Sequence, residues 1–138
     1  MSFIPQNSKF KKQHKGKSFN RINKNINYNQ LNVGSIGLKT LEASRITSKQ
    51  LESLKQAVSK IIKKSGRVLF PLFPDTPISK KPLEIRMGKG KGAVDHWIFK
   101  LQPGFIICEI ETQSHSNAIK ALKAAQFRCP TKTKIIFN

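Results

Sequence analysis

Trp-Ile-Phe-Lys-Leu-Gln-Pro-Gly-Phe-Ile-Ile-Cys-Glu-Ile, at residues 97–110, is the stretch of this chain that decides its fold. Two runs rich in β-branched and aromatic residues lie on either side of Gln102-Pro103-Gly104, and Pro-Gly is a strong turn signal. We therefore predict two strands joined as a β-hairpin. Cys108 lies inside the second run and is expected to be a small core residue.

A helix is predicted upstream of this stretch. Thr47 and Gln50 form a Thr-x-x-Gln capping box, and Gly66 is the expected C-terminal stop. The apolar residues between them recur at helical spacing: Leu51, Leu54, Val58, Ile61 and Ile62. Three lysines lie off this stripe and could meet either phosphates or water: Lys49, Lys55 and Lys63.

A second helix is predicted after residue 113. Ser114 or Ser116 can cap it, and small side chains on one face would let it lie close to a sheet: Ala118, Ala121, Leu122 and Ala125. Residues 133–137 read as a final strand, and residues 67–73 as another. Pro71 cannot donate a ladder hydrogen bond, so the strand at 67–73 is expected at an edge or a bulge.

These elements predict an α+β fold, a two-layer sandwich of two helices packed on an antiparallel or mixed sheet. Residues 34–138 would form this domain. Residues 76–94 contain three glycines, two prolines and few apolar side chains, and we expect them to form a long, flexible, basic loop. Residues 1–33 are expected to be a basic N-terminal extension.

The charge of the chain indicates a polyanionic partner. There are 26 Lys+Arg against 7 Asp+Glu, a formal net charge of +19, and such an excess favours binding to nucleic acid. A membrane is a weak alternative, since no apolar run is long enough to span a bilayer and no signal-peptide h-region begins the chain. No acid precedes Glu42, whereas eight cations do: Lys9, Lys11, Lys12, Lys15, Lys17, Arg21, Lys24 and Lys39.

The N-terminal extension has too few apolar residues to fold alone. Because its charge is one-sided, we expect it to become ordered on RNA, and a solvated tail is the alternative. Residues 20–29 are rich in Asn, Lys and Ile. That usage is typical of an AT-rich genome and suggests that the gene is carried by an organelle.

The string Arg86-Met87-Gly88-Lys89-Gly90-Lys91-Gly92 alternates glycine with basic residues. Glycine permits positive φ and close backbone approach, and the lysines suit contacts with phosphates. The string is not a Walker A motif, because Ala93 follows Gly92, and its spacing of two excludes Gly-x-Gly-x-x-Gly. A flexible linker is the alternative interpretation.

No catalytic or metal-binding constellation is evident. Asp95 and His96 are neighbours, but no nucleophile is placed to complete a triad. Glu109 and Glu111 share a strand face that we expect to be solvated, and metal-ligand spacing is missing. We therefore predict no enzyme activity and no cofactor. Three aromatic residues could stack on bases, but their β-branched neighbours favour packing in the core: Trp97, Phe99 and Phe105.

Residues 81–92, Lys-Pro-Leu-Glu-Ile-Arg-Met-Gly-Lys-Gly-Lys-Gly, closely resemble the signature of the bacterial-type large-subunit ribosomal protein L-sixteen family. Further similarity follows in order at Trp97, at Pro103-Gly104, in the alanine-rich second helix and at residues 132–135. The resemblance covers roughly residues 34–137. The Asn-rich segment near the N-terminus departs from the family and suits a mitochondrial version.

The resemblance implies a structural protein of the large ribosomal subunit, bound to rRNA near the central protuberance. Neighbouring ribosomal proteins would be its other partners, and no homo-oligomer is expected. It also implies that the glycine-lysine loop helps to position A-site and P-site tRNA near the peptidyl-transferase centre. The implied location is the mitochondrial matrix, with a bacterial cytoplasm or a plastid as alternatives. A free organellar RNA-binding protein or RNA chaperone is the alternative function.

Two sets of residues are expected to carry these contacts. The residues expected on rRNA are Lys9, Lys11, Lys12, Lys15, Lys17, Arg21, Lys24, Lys39, Arg45 and Lys49. The residues expected close to tRNA are Lys80, Lys81, Arg86, Met87, Gly88, Lys89, Gly90, Lys91 and Gly92.

Overall fold

A computed structural model describes residues 3–14, 30–63 and 65–138, and within these ranges the chain forms two helices and two antiparallel sheets. The elements in chain order are β1 Ile36–Thr40, β2 Ser44–Thr47, α1 Ser48–Ile62, β3 Gly66–Leu69, β4 Thr76–Lys80, β5 Ala93–Leu101, β6 Ile106–Thr112, α2 His115–Gln126 and β7 Thr133–Phe137. The predicted α+β class, with two helices packed on antiparallel strands, is confirmed.

The strands divide between a four-stranded sheet, in the order β3-β6-β1-β7, and a three-stranded sheet, in the order β2-β5-β4. The predicted hairpin at residues 97–110 is therefore wrong in its pairing, because β5 and β6 belong to different sheets. The turn between them bonds instead to the end of β1. Gly104 N donates to Thr40 O at 2.8 Å, and Thr40 N donates to Phe105 O at 2.8 Å.

Helix α1 begins as predicted and ends earlier. Thr47 is the N-cap, and both hydrogen bonds of the capping box with Gln50 are formed. The helix stops at Ile62, and Lys63 adopts a left-handed conformation with φ of 48°. Gly66 is not the stop but the first residue of β3, where an added Cβ would lie 2.5 Å from the carbonyl oxygen of Glu111.

The predicted strand at 67–73 and the predicted loop at 76–94 both differ from the structure in their bounds. Strand β3 ends at Leu69, before Pro71, and lies at a sheet edge as expected. The loop covers only residues 81–92, because β4 and the start of β5 form a ladder. β4 is an edge strand that contains Pro77 and few apolar residues, so its sequence does not show the pattern of a strand.

The core lies between the helices and the sheets. Helix α1 contacts α2 and strands of both sheets, whereas α2 contacts β1, β6 and β7 of the four-stranded sheet. The four small or apolar residues predicted to bury one face of α2 are fully buried: Ala118, Ala121, Leu122 and Ala125. Burying side chains such as Leu51 and Leu54 contributes about 1.5–3 kcal/mol each.

Cys108 is buried in this core, as predicted, and Cys129 is partly buried beside it. Burial raises the pKa of the Cys108 thiol and raises that of Cys129 to about 12. Both thiols therefore stay protonated at neutral pH. Neither helix of the described ranges is long and apolar enough to cross a membrane.

Candidate nucleic-acid interface

The glycine-lysine loop, residues 81–92, joins β4 to β5 and is almost entirely exposed. Gly88, Lys89 and Gly90 have positive φ values of 102°, 52° and 84°. No atom lies within 4 Å of a Cβ built at Gly88 or Gly90, whereas a Cβ at Gly92 would lie 2.5 Å from the carbonyl oxygen of Lys80. Gly88 and Gly90 are thus suited to their positive φ angles, and Gly92 allows the chain to approach the carbonyl of Lys80 closely at the base of the loop.

The loop presents exposed cations around an exposed apolar side chain. Arg86 and Lys89 are exposed, and the side chain of Met87, which lies between them in the sequence, is 100% exposed. Lys81 is partly buried, and its ammonium donates to the carbonyl oxygen of Gly88. Lys81 therefore holds the shape of the loop, while Arg86 and Lys89 point their charges to solvent.

Residues 3–14, here called the arm, lie against the body at their start. The ring of Phe3 meets that of Phe70 edge-on, with centroids 6.5 Å apart, and the ammonium of Lys55 lies 5.5 Å from the Phe3 centroid. The Phe3 amide also donates to Glu52 at 3.4 Å. These contacts attach the arm to α1 and to the segment after β3.

The other end of the arm meets the loop. Lys12 Nζ donates to the carbonyl oxygen of Lys91 at 2.9 Å, and Lys91 Nζ donates to the carbonyl oxygen of Gln13. We call this pair of contacts the lysine bridge. The sequence predicted separate arm and loop surfaces, and the structure brings them together into one cationic surface.

The remaining residues expected on rRNA are spread over the body. Lys39 lies on β1, Arg45 on β2 and Lys49 in the first turn of α1. Lys9, Lys11 and Lys12 are exposed on the arm, and Lys49 and Lys11 line the same cleft beside it. Four of the expected residues lie outside the described residues: Lys15, Lys17, Arg21 and Lys24.

Glu109 has a structural role that the sequence analysis missed. The sequence predicted that Glu109 and Glu111 are both exposed to solvent. Glu111 is exposed, but Glu109 is only 2% exposed. The Oε2 atom of Glu109 accepts hydrogen bonds from the backbone amides of Asn32, Val33 and Gly34, in the segment that leads into β1. The signal in the sequence is a single carboxylate inside a continuous apolar run, since such a charge must be satisfied when buried.

The aromatic residues on β5 and after it do not share one environment. Phe105 is buried, and Phe99 packs on the core with its ring centroid 6.2 Å from that of Phe105, as predicted. Trp97 is only partly buried and lines the cleft beneath the arm, so it is not the core residue that the sequence predicted.

Asp95 and His96 form a pair at this cleft. The Asp95 Oδ2 and His96 Nδ1 atoms lie 2.8 Å apart. This hydrogen bond lowers the pKa of the Asp95 carboxyl, and the nearby charges of Lys80 and Lys49 act in the same direction. In the described residues no group of three or more His, Cys, Asp or Glu side chains could hold a metal ion.

Comparison with known proteins identifies the family of this chain. The family described as ribosomal protein L16p/L10e matches residues 5–136, which includes most of the arm. Large ribosomal subunit protein uL16 of Acidiphilium cryptum is 45% identical over 132 residues, covering 96% of this chain and 94% of its own length. The proteins of the same name from Cereibacter sphaeroides and Wigglesworthia glossinidia brevipalpis are 41% and 42% identical, with the same coverage. The chain therefore belongs to the ribosomal protein L16p/L10e family.

Proposed function

We propose that this protein is a structural component of the large ribosomal subunit that binds rRNA with its arm and body and approaches tRNA with its loop. Its relatives carry the name of a large-subunit protein, and membership in a ribosomal protein family makes it a structural protein and not an enzyme. The observation that carries the RNA-binding proposal is the lysine bridge. It joins two acid-poor segments into one surface that suits a phosphate backbone.

The charges on this surface divide into two kinds. Lys12, Lys81 and Lys91 each donate one hydrogen bond to a backbone carbonyl and so fix the conformation of the surface. An ammonium has three donors, so each still has donors for a phosphate. Arg86 and Lys89 make no such hydrogen bond within the described part of the chain, and both are exposed to a partner. We propose rRNA near the central protuberance as the partner of the arm, and A-site and P-site tRNA as the partners of the loop.

Salt resistance separates a ribosomal component from a free RNA chaperone. A protein that is held only by 6–10 phosphate contacts loses roughly 10³- to 10⁵-fold in affinity between 50 and 200 mM salt. A component around which RNA has folded stays bound. Sedimentation of large subunits after such a wash tests this: recovery with the subunit supports the proposal, and recovery only in the soluble fraction refutes it.

The role of the loop is tested with Arg86→Ala and Lys89→Ala together. Neither side chain holds the loop in shape, so the double variant should enter large subunits normally yet bind aminoacyl-tRNA in the A-site less tightly. The matched control is Lys120→Ala with Lys123→Ala, which removes the same charge from exposed positions on α2. Unchanged A-site binding by the loop variant would refute a tRNA role.

We further propose that the protein acts in mitochondria. Support comes from the Asn-, Lys- and Ile-rich segment at residues 20–29, whereas the relatives named above are bacterial. Fractionation of cells with an antibody to this chain tests the location. Recovery in ribosomes of a bacterial cytoplasm or a plastid would replace the mitochondrial assignment and leave the ribosomal role intact.

A further inference from the structure

A cleft of about 420 Å³ separates the arm from the start of α1 and the start of β5. The cleft is partly open to solvent, so it can admit part of a longer chain. Polar and aromatic side chains from all three segments line it: Gln6, Lys11, Lys49, Asp95, His96 and Trp97. The cleft exists only because the arm is held on the body, so it belongs to the same surface as the lysine bridge.

The aromatic wall of the cleft is Trp97, the single tryptophan of the chain. It is partly exposed, although its neighbour Ile98 is buried in the core. A partly exposed indole beside cations is the kind of surface on which an unstacked nucleic-acid base packs. Because Trp97 is unique, its fluorescence reports on this cleft alone.

The polar wall of the cleft suits a base better than a phosphate. Asp95 is a carboxylate at neutral pH, the hydrogen bond from His96 lowers its pKa further, and an ionised carboxylate only accepts hydrogen bonds. It repels a phosphate but accepts from the exocyclic amino groups of adenine, cytosine or guanine. Lys11 and Lys49 line the same cleft, and their charges attract the phosphates that flank a base.

We propose that the cleft takes one unpaired nucleotide of the bound RNA, with its base stacked on Trp97 and its amino edge on Asp95. This proposal rests on the proposed function, since it names a nucleotide of the RNA that the arm binds. RNA is favoured over a segment of a neighbouring protein because lysines from the arm and from α1 flank the carboxylate. Bases that carry an amino group should therefore bind better than uracil.

The test uses the full chain with single-stranded RNA octamers at fixed salt. Oligo(A) and oligo(C) should quench Trp97 fluorescence saturably, oligo(U) should do so more weakly, and an abasic ribose-phosphate octamer of equal charge should not quench. Equal affinity for all four octamers without quenching would overturn the base site and leave RNA binding standing. Failure of every octamer to bind at low salt would instead count against the proposed function.

Variants separate stacking from a structural role of Trp97. By fluorescence anisotropy of labelled oligo(A), Trp97→Leu should bind roughly 5- to 100-fold more weakly, as expected for the loss of one stacked base. Trp97→Phe keeps an aromatic face and should retain most of the affinity. Phe137→Leu, at an exposed aromatic residue on β7, is the matched control and should have little effect.

Asp95→Asn tests the polar wall. An amide both donates and accepts, so the preference for oligo(A) over oligo(U) should fall towards one, while quenching by oligo(A) persists. An unchanged preference would contradict the role of Asp95.

Equal losses in Trp97→Phe and Trp97→Leu would contradict stacking and indicate that the cleft holds a protein segment or only supports the arm.

Discussion

The Oε2 atom of Glu109 lies 3.0 Å from the amide nitrogen of Gly34 and accepts its hydrogen bond. The amides of Asn32 and Val33 donate to the same oxygen at 3.1 and 3.0 Å. Glu109 is on β6, so one buried carboxylate fastens the segment that precedes β1 to the middle of the four-stranded sheet. This carboxylate therefore positions residues 32–34, which lead directly into β1, relative to the body.

Glu109→Gln should lower the free energy of unfolding by about 1–3 kcal/mol, because it changes a buried side chain whose oxygen accepts three backbone hydrogen bonds. Urea denaturation measures the change. The control is Glu111→Gln, two residues along the same strand but exposed, which should stay within about 0.5 kcal/mol. Equal effects of the two substitutions would contradict a special role for Glu109.

Gly34→Ala should also destabilise the protein, by about 1–3 kcal/mol, because a methyl group is forced into a packed place. Its Cβ would lie 2.8 Å from the Cβ of Glu109 and 3.0 Å from the amide nitrogen of Ile110. Combining Gly34→Ala with Glu109→Gln should cost less than the sum of the two, since both disturb one contact. Strict additivity would show that the two residues act independently.

Lys91→Ala should weaken the contact between the arm and the loop, whereas Lys89→Ala should not, although each removes one charge from the loop. The variant keeps the backbone carbonyl at position 91 that accepts from Lys12, so one half of the lysine bridge remains. Only Lys91 donates to the arm, through the carbonyl oxygen of Gln13. A hydrogen bond of this kind contributes about 1 kcal/mol, so the arm should leave the loop several-fold more often in the Lys91 variant. Limited trypsin cleavage of the free protein at Lys9, Lys11 and Lys12 compares the two variants, and identical rates of arm cleavage would exclude the lysine bridge in solution.

Thr47→Ala should lower the free energy of unfolding by about 1 kcal/mol, because the N-cap hydroxyl accepts the amide hydrogen bond of Gln50 at 3.2 Å. Ser114→Ala is the matched control. Ser114 is the N-cap of α2 but makes no side-chain capping bond. Thermal unfolding of the two variants should therefore differ, and a larger loss in Ser114→Ala would contradict this assignment.

The Asp95 carboxyl should titrate below its usual value of 3.8 in the folded protein. A lowered folded pKa means that the stability from this pair is present above pH 3.8 and is lost as the pH falls through the folded pKa. His96→Ala removes the main cause and should raise the Asp95 pKa towards 3.8, while His115→Ala should leave it unchanged. NMR titration of the carboxyl carbon measures both; no rise in the His96 variant would show that the lysines dominate.

Local signals in the sequence predicted the fold where one segment determines its own structure. The capping box of Thr47 and Gln50 needs only four residues, and the structure contains it as predicted. The turn at Pro103-Gly104 is local too, but which strand β5 and β6 each select depends on β1 and β4, which lie far away in the chain. The hairpin was wrong for that reason, and β4 was missed because the ladder with β5 defines it more than its own residues do.

The sequence predicted which residues of the arm and the loop belong to the candidate site, but not how the fold brings them together. Charge and glycine spacing identified the residues of the arm and of the loop without any coordinates. The contact of Lys12 with Lys91 joins residues 79 positions apart, and no periodicity encodes it. Trp97 and Glu109 were misjudged for the same reason, since the arm and the segment before β1 decide which side chains on β5 and β6 are covered.

The lysine bridge affects how the protein would associate with ribosomal RNA. Each of its two ammonium groups donates to a neutral carbonyl, so the bridge leaves both positive charges uncompensated. The arm and the loop can therefore be preorganised before any RNA is present, without cancelling the charge that attracts it. A preorganised surface loses less conformational entropy on association. In addition, when either the arm or the loop binds RNA, the other segment is already close to the RNA that it contacts, at a high effective concentration.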